Sequence, residues 1–188
     1  MERKFITSTE REKVKFDPPK GAVMFIRDPE GRILYISESE DKPETGKVAG
    51  EYSVNCETSK DGEDWTETVP RGLKEELGLT DQDIEETLNI RLNGGYLGET
   101  EFTEGVRAHV VVLDCDDPDE LLERIKPVDE IKVEGWIEPD LLLSQPVRSG
   151  VGNVLRRVLS GGWLGSLSQP RSLAITDRSL RQLAQDSE

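Results

Sequence analysis

Apolar residues along this chain fall into short blocks separated by turn-forming residues. Residues 21–25 and 33–37 are two such blocks, and the segment Asp28-Pro-Glu-Gly between them is typical of a turn. Residues 52–56 form a third block, after a polar stretch at 38–50 without apolar period. The pattern predicts two strands joined by a tight turn, then a polar loop and a third strand.

A proline limits where the next element, a helix ending at Leu77, can begin. Proline lacks the backbone N–H and is tolerated in the first turn of a helix, so Pro70 predicts a start near residues 66–68. Thr80 and Asp83 have the spacing of a capping pair and predict a short helix that runs through Leu88.

The remainder of the chain continues to alternate between strand and helix patterns. Strands are predicted at residues 90–92, 95–99, 108–114 and 131–136, and helices at 118–125, 139–143 and 152–160. The alternation indicates an α/β domain over residues 18–160. A charged arm (1–17) precedes it, and a tail (161–188) with a short helix at 177–184 follows it.

Composition restricts the partners and the compartment. The 188 residues carry 24 basic and 39 acidic side chains, a net charge of −15, which argues against sequence-independent binding to nucleic acid or to an anionic membrane. Two cysteines are too few for a disulfide framework, and the chain has no signal peptide or 18-residue apolar span, so the cytoplasm is expected. Nucleotide phosphates stay compatible with this charge, because a bound cation can mediate the contact.

One segment combines charged residues at fixed intervals. Its ordered positions are Glu63, Arg71, Leu73, Glu75, Glu76, Gly78 and Leu79. This arrangement resembles the Nudix box, G-x5-E-x7-R-E-U-x-E-E-x-G-U with U an aliphatic residue, at seven of its nine specified positions. The two departures are Glu57, where the box has its first glycine, and Gly72, where it has the glutamate that follows arginine.

The resemblance implies a fold and a chemistry. The fold is the Nudix α/β/α sandwich with a mixed sheet, as a single domain. The activity is hydrolysis of a diphosphate linkage in a nucleoside diphosphate linked to another moiety, with Mg²⁺ or Mn²⁺ as cofactor. Residues 72, 75 and 76 are expected to share a helix face, so Glu75 and Glu76 would bind the ion, which lowers the pKa of the attacking water.

The resemblance also assigns supporting residues. Glu63 and Arg71 are expected to pair and brace the helix, and Gly78 to end it in the left-handed conformation. Glu134 lies with Glu130 in a later motif of the E-V-x-E-x-x-W type, where some relatives have a general base. Tyr96 lies where diadenosine-polyphosphate relatives have a base-stacking tyrosine. Many relatives form dimers, so a homodimer is a further expectation.

Gly72 leaves two other functions open. A catalytically silent Nudix domain that binds a nucleotide or a protein is the first. The second is an enzyme like isopentenyl-diphosphate isomerase, which shares the fold and has a reactive cysteine where Cys56 stands, although this chain lacks the histidines of that family. Glycine inside a helix costs about 0.5–1 kcal/mol relative to alanine, so Gly72→Glu is expected to raise both thermal stability and Mg²⁺ affinity.

Overall fold

The computed structural model describes residues 18–89 and 95–160, and strand β1 (Gly21–Arg27) lies at its centre. β1 is buried along nearly its whole length, as its unbroken apolar sequence requires. It pairs in parallel with β7 (Val106–Cys115), the second apolar run of the chain. This parallel pair forms the middle of the sheet.

The other strands surround the central pair in antiparallel orientation, which makes the sheet mixed. In the described part of the chain they are β2 (Ile33–Glu38), β3 (Tyr52–Ser53), β4 (Asn55–Thr58), β5 (Leu88–Asn89), β6 (Tyr96–Thr103) and β8 (Ile131–Ile137). The strand order is β3-β2-β1-β7-β5, with β4 paired to β1, β6 to β7 and β8 to β2.

Helices cover both faces of the sheet. They are α1 (Trp65–Leu77), α2 (Asp81–Thr87), α3 (Pro118–Arg124), α4 (Pro139–Leu143) and α5 (Ser149–Ser160), and a 3₁₀ turn occupies Pro43–Thr45. Alternate residues of β1 point to opposite sides, so Met24 packs with Leu73 of α1, and Phe25 packs with Leu155 of α5. The predicted α/β/α sandwich in a single domain is confirmed.

Helix α1 begins earlier than the position of Pro70 predicts. Asp64 caps the helix, its side chain accepting a hydrogen bond from the Thr66 N–H at 2.7 Å, and the Glu67 carboxylate accepts one from the Asp64 N–H at 3.2 Å. This capping box satisfies N–H groups that have no partner within the helix. Pro70 therefore lies inside α1 rather than in its first turn, and the helix begins at Trp65, one residue before the predicted range.

Most other boundaries agree within a few residues. The helix predicted to run through Leu88 ends at Thr87, because Leu88 pairs with Cys115 of β7 as the first residue of β5. The strand predicted at 90–92, the arm at 1–17 and the tail helix at 177–184 lie outside the described residues. Within residues 18–89 and 95–160, no helix is both long and apolar enough to cross a membrane.

Candidate active site

Arg71 of α1 holds the loop that precedes the helix. Its Nε donates to Glu63 Oε1 at 2.8 Å and its Nη2 to Glu63 Oε2 at 2.7 Å, a two-point contact between planar groups. The hydrogen bonds from Arg71 lower the pKa of Glu63 to about 2, so Glu63 is ionised at neutral pH. The predicted brace between Glu63 and Arg71 is present, and Gly78 ends α1 with φ 65, also as predicted.

The same guanidinium gathers two further carboxylates. Its Nη1 lies 2.9 Å from Glu57 Oε1 of β4 and 2.9 Å from Glu75 Oε2 of α1. Lys60 approaches the other oxygen of Glu75 at 3.3 Å. Arg71 therefore positions three acidic side chains that come from a loop, a strand and a helix.

Glu76 stands apart from this group and is largely buried. Its Oε2 accepts a hydrogen bond from Asn55 Nδ2 at 3.1 Å, and its Oε1 lies 3.6 Å from Lys47 Nζ. Burial raises the pKa of Glu76 to about 7, against the attraction of Lys47. A carboxylate that loses hydration in this way gains most from a bound cation.

Gly72 lies on the buried face of α1, whereas Glu75 lies on the exposed side with half of its side chain accessible. The expectation that residues 72, 75 and 76 share one face is thus only partly met. A Cβ at position 72 would lie 2.7 Å from the Cβ of Glu57 and 3.0 Å from the Met24 Cε. Gly72→Glu alone would therefore require β4 or α1 to shift, which argues against the expected gain in stability.

A cavity of about 860 Å³ opens beside these residues. Its acidic lining residues are Glu57, Glu75, Glu76 and Glu130, and its basic ones are Lys20, Lys42, Lys47, Arg107 and Arg148. An acidic wall suits a divalent cation, and the basic groups suit anionic phosphates. The volume is in the range of sites for nucleotide-sized ligands.

None of the five basic residues of the cavity was predicted as a site residue, and two of them share an acidic partner, Glu38. Lys47 comes from the polar loop, and its ammonium lies between Glu76 and the buried carboxylate of Glu38, 3.3 Å from Glu38 Oε2. Arg148 precedes α5, lies 3.7 Å from Glu38 Oε1 and donates to the Thr45 carbonyl at 2.5 Å. A lone arginine before an apolar helix was the available signal for Arg148, while nothing in the sequence of the loop distinguished Lys47.

Of the seven predicted site residues, Glu75 and Glu76 line this cavity. Arg71, Glu63 and Gly78 support α1 beside it, and Glu134 and Tyr96 lie outside its lining. Glu134 of β8 accepts hydrogen bonds from Ser37 Oγ at 2.8 Å and Lys132 Nζ at 2.9 Å. Tyr96 stacks on Trp65 with ring centroids 5.0 Å apart, and its hydroxyl lies 3.1 Å from His109 Nδ1. Of the two acidic residues in the later motif, Glu130 is the one that lines the cavity, where it pairs with Lys42 at 2.5 Å.

Cys56 lines the cavity but its thiol is not activated. Burial raises the pKa of Cys56 to about 12, so the thiol is neutral at physiological pH. His109, the one histidine of the sequence, faces Tyr96 rather than Cys56. The surroundings of Cys56 therefore give no support to a thiolate nucleophile.

The donor set fits a hard divalent cation, although the side chains are not arranged around one. Within the described residues, no three Asp, Glu, His or Cys side chains converge as metal ligands, because Glu57 and Glu75 turn to Arg71. Carboxylate oxygens are nevertheless what Mg²⁺ and Mn²⁺ prefer, and Glu76 brings one to the wall of the cavity.

Comparison with known proteins places the chain in a family. The sequence profile of the NUDIX domain matches residues 17–158, so the chain belongs to the Nudix family and to its class of pyrophosphohydrolases. Substrates of this class are small nucleotide derivatives, and its members generally use divalent cations. A comparison with curated protein sequences finds no match.

Solved structures share the fold at low sequence identity. An Ap4A hydrolase from C. elegans, in a binary complex, has a TM-score of 0.52 and 19% identity, over 78% of this chain and 99% of its own. A mutT/nudix family protein from Listeria innocua has a TM-score of 0.52 and 18% identity, and the match covers 81% of this chain and 100% of that protein. The Nudix hydrolase RenU from M. smegmatis has a TM-score of 0.52 and 14% identity, and the match covers 76% of this chain and 84% of that protein. These similarities establish the fold alone.

Proposed function

We propose that the cavity hydrolyses the diphosphate linkage of a nucleoside diphosphate linked to another moiety, with Mg²⁺ or Mn²⁺. The observation that carries the proposal is the charge of the lining: the box carboxylates Glu75 and Glu76 line the same cavity as five basic side chains. The negative charge of a diphosphate suits both a cation bound to the carboxylates and the basic side chains.

Each part of the cavity has a task in this reaction. Glu76 and Glu75 would hold the cation, which when bound would offset phosphate charge and lower the pKa of a water. Arg71 keeps Glu75 oriented through the contact at 2.9 Å. Lys47 and Arg148 lie where positive charge can bind the phosphates and stabilise charge that develops on the leaving group.

A substrate panel tests the proposal directly. The purified protein is incubated with Mg²⁺ or Mn²⁺ and nucleotide sugars, dinucleoside polyphosphates or nucleoside triphosphates, and the products are separated by chromatography. We expect release of a nucleoside monophosphate from at least one linked diphosphate, and loss of that release when the cation is chelated. Turnover that persists with chelator would contradict cation dependence.

The panel also separates the two alternatives. Binding of a nucleotide without cleavage of any compound would favour the catalytically silent domain. Isomerisation of isopentenyl diphosphate without hydrolysis would favour the isomerase. Cytoplasmic location and a homodimer remain part of the proposal, and sedimentation of the purified chain tests the second.

A further inference from the structure

The two departures from the Nudix box, Glu57 and Gly72, are in direct contact. Glu57 lies on β4 opposite Ala22 of β1, and Gly72 lies on the face of α1 that packs against both strands. In sequence they are 15 positions apart and look like two separate losses. In the fold they form one place where a strand and a helix meet.

These two positions cannot both carry a side chain unless β4 or α1 shifts. A Cβ at residue 72 would be 2.7 Å from the Glu57 Cβ and 3.0 Å from its Cγ, closer than non-bonded carbons approach. The Cβ of Glu57 is fixed by the backbone of β4, which pairs with β1 from Gly21 to Met24. Rotation of the Glu57 side chain therefore cannot make room, and glycine at 72 follows from glutamate at 57.

The side chain that fills this space carries a carboxylate into the site. Glu57 Oε1 lies 2.9 Å from Arg71 Nη1, the same nitrogen that contacts Glu75 Oε2. Glu57 also lines the cavity together with Glu75 and Glu76. The box pattern has glycine first and glutamate after arginine, and this chain has the same two residue types exchanged.

We infer that Glu57 supplies the carboxylate that residue 72 lacks, so that Glu57, Glu75 and Glu76 together bind the divalent cation. This inference rests on the proposed function only in that the site binds such a cation. Arg71 does not need Glu57 as a structural partner, since Glu63 already occupies its Nε and Nη2. The Glu57 carboxylate, with 16% of its side chain exposed, lines the cavity together with two other acids, and oxygen ligands of this kind are what a hard divalent cation prefers.

Mn²⁺ binding tests this role without any substrate. Free Mn²⁺ is measured by electron paramagnetic resonance during titration of the wild type, Glu57→Gln and Glu86→Gln. Glu86 is a matched control, because Arg124 contacts Asp83, Glu86 and Glu120 much as Arg71 contacts its three acids. We expect Glu57→Gln to weaken Mn²⁺ binding by at least about 10-fold, and Glu86→Gln to leave it unchanged.

An exchange of the two residues tests the shared space. Gly72→Glu alone should lower the melting temperature, and Glu57→Gly alone should weaken Mn²⁺ binding without a clash. The double variant Glu57→Gly with Gly72→Glu restores the family arrangement, and should recover both the melting temperature lost by Gly72→Glu and the Mn²⁺ affinity lost by Glu57→Gly.

The outcomes distinguish this inference from the proposed function. Wild-type Mn²⁺ affinity in Glu57→Gln would overturn the inference while leaving hydrolysis possible. Weakened binding in Glu57→Gln, in a protein that cleaves no substrate, would support the inference and contradict the function. Absence of Mn²⁺ binding by the wild type would overturn both, and a double variant no more stable than Gly72→Glu would overturn the exchange.

Discussion

Glu76 is a carboxylate held where water has little access, and this makes its charge state sensitive to the cation. Its ordinary pKa is near 4.3, and burial raises the pKa to about 7 in the folded protein without metal. The folded state then binds more protons than the unfolded state between these values, so metal-free stability falls as pH rises through that window. Above it, Glu76 remains charged and poorly solvated.

We therefore expect two effects from Glu76→Gln. Turnover with Mg²⁺ should fall by roughly 10²–10³, because a group that stabilises the transition state is lost. Without metal at pH 8 the variant should melt at or above the wild-type temperature, since glutamine carries no buried charge. Initial rates and melting curves at pH 5 and pH 8 check both; normal turnover by Glu76→Gln would remove it from the site.

The two acids of the later motif differ in location, which separates their expected roles. Glu130 lines the cavity, whereas Glu134 is engaged by Ser37 and Lys132. If a general base comes from this motif, Glu130→Gln should lower kcat by roughly 10²-fold and Glu134→Gln should have little effect. Steady-state kinetics of the pair decide, and the reverse order would return the role to Glu134.

Substitution of Cys56 provides a control for the predictions on single residues of the cavity. Its pKa of about 12 makes it a neutral thiol, so hydrolysis should proceed almost unchanged in Cys56→Ser. The rate per folded molecule, with folding checked by circular dichroism, measures this. A severe loss of turnover in a folded variant would favour the isomerase-like enzyme.

Helix α1 joins the acidic wall to the sheet, and its two ends are secured differently. The Asp64–Glu67 capping box fixes the beginning, and Gly78 permits the turn at the end. The Lys126 carbonyl would lie 2.2 Å from a Cβ at residue 78, so glycine is also required there for close approach of another segment. The helix carrying Glu75 and Glu76 is consequently held in one position along its axis.

The ion pair between Glu63 and Arg71, which braces α1, gives a prediction for stability at acidic pH. The pKa of Glu63 is lowered to about 2, chiefly by hydrogen bonds from Arg71, so its contribution to stability is present above the unfolded pKa near 4.3 and is lost as pH falls toward 2. Glu63→Gln should lower the melting temperature at pH 7 and flatten its decline below pH 4.5. Glu104→Gln, in the exposed β6–β7 turn, serves as the control; equal melting curves for both variants would contradict the brace.

Much of α1 could be predicted from sequence because its determinants are local. Glu63, Arg71 and Gly78 act within one helix and the loop before it, so their spacing contains the information. The start of the helix was predicted one residue late because it was argued from Pro70 alone and not from the capping residues Asp64 and Glu67. The burial of Gly72 could not be read from spacing, since it depends on β4.

At the scale of the whole molecule, an ionic cluster at the wall of the cavity connects distant parts of the chain. Glu38 at the end of β2 faces Lys47 of the loop and Arg148 before α5, and Arg148 also lies 5.1 Å from the centre of the Phe102 ring of β6. These residues are far apart in sequence, so no local sequence pattern could predict their contact. The expected Nudix domain, by contrast, was visible from one segment.

Arg148 should contribute to stability as well as to the cavity. Arg148→Met leaves the buried Glu38 with Lys47 alone, and breaking a buried ion pair typically costs about 3–5 kcal/mol. Arg156→Met, on the exposed side of α5, is the control. Urea denaturation of both variants measures the difference, and an equal, small change would show that Lys47 alone compensates Glu38.

The contact between Glu57 and Gly72 also restricts the order in which such a site can change during evolution. Two glutamates at these positions would require β4 or α1 to shift, so a lineage with the usual box gains the carboxylate at 57 at lower cost after it loses the one at 72. The accessible intermediate has glycine at both positions and one ligand fewer. A motif search that scores each position independently counts two defects here, whereas a search that scores the pair jointly would treat them as a single permitted exchange.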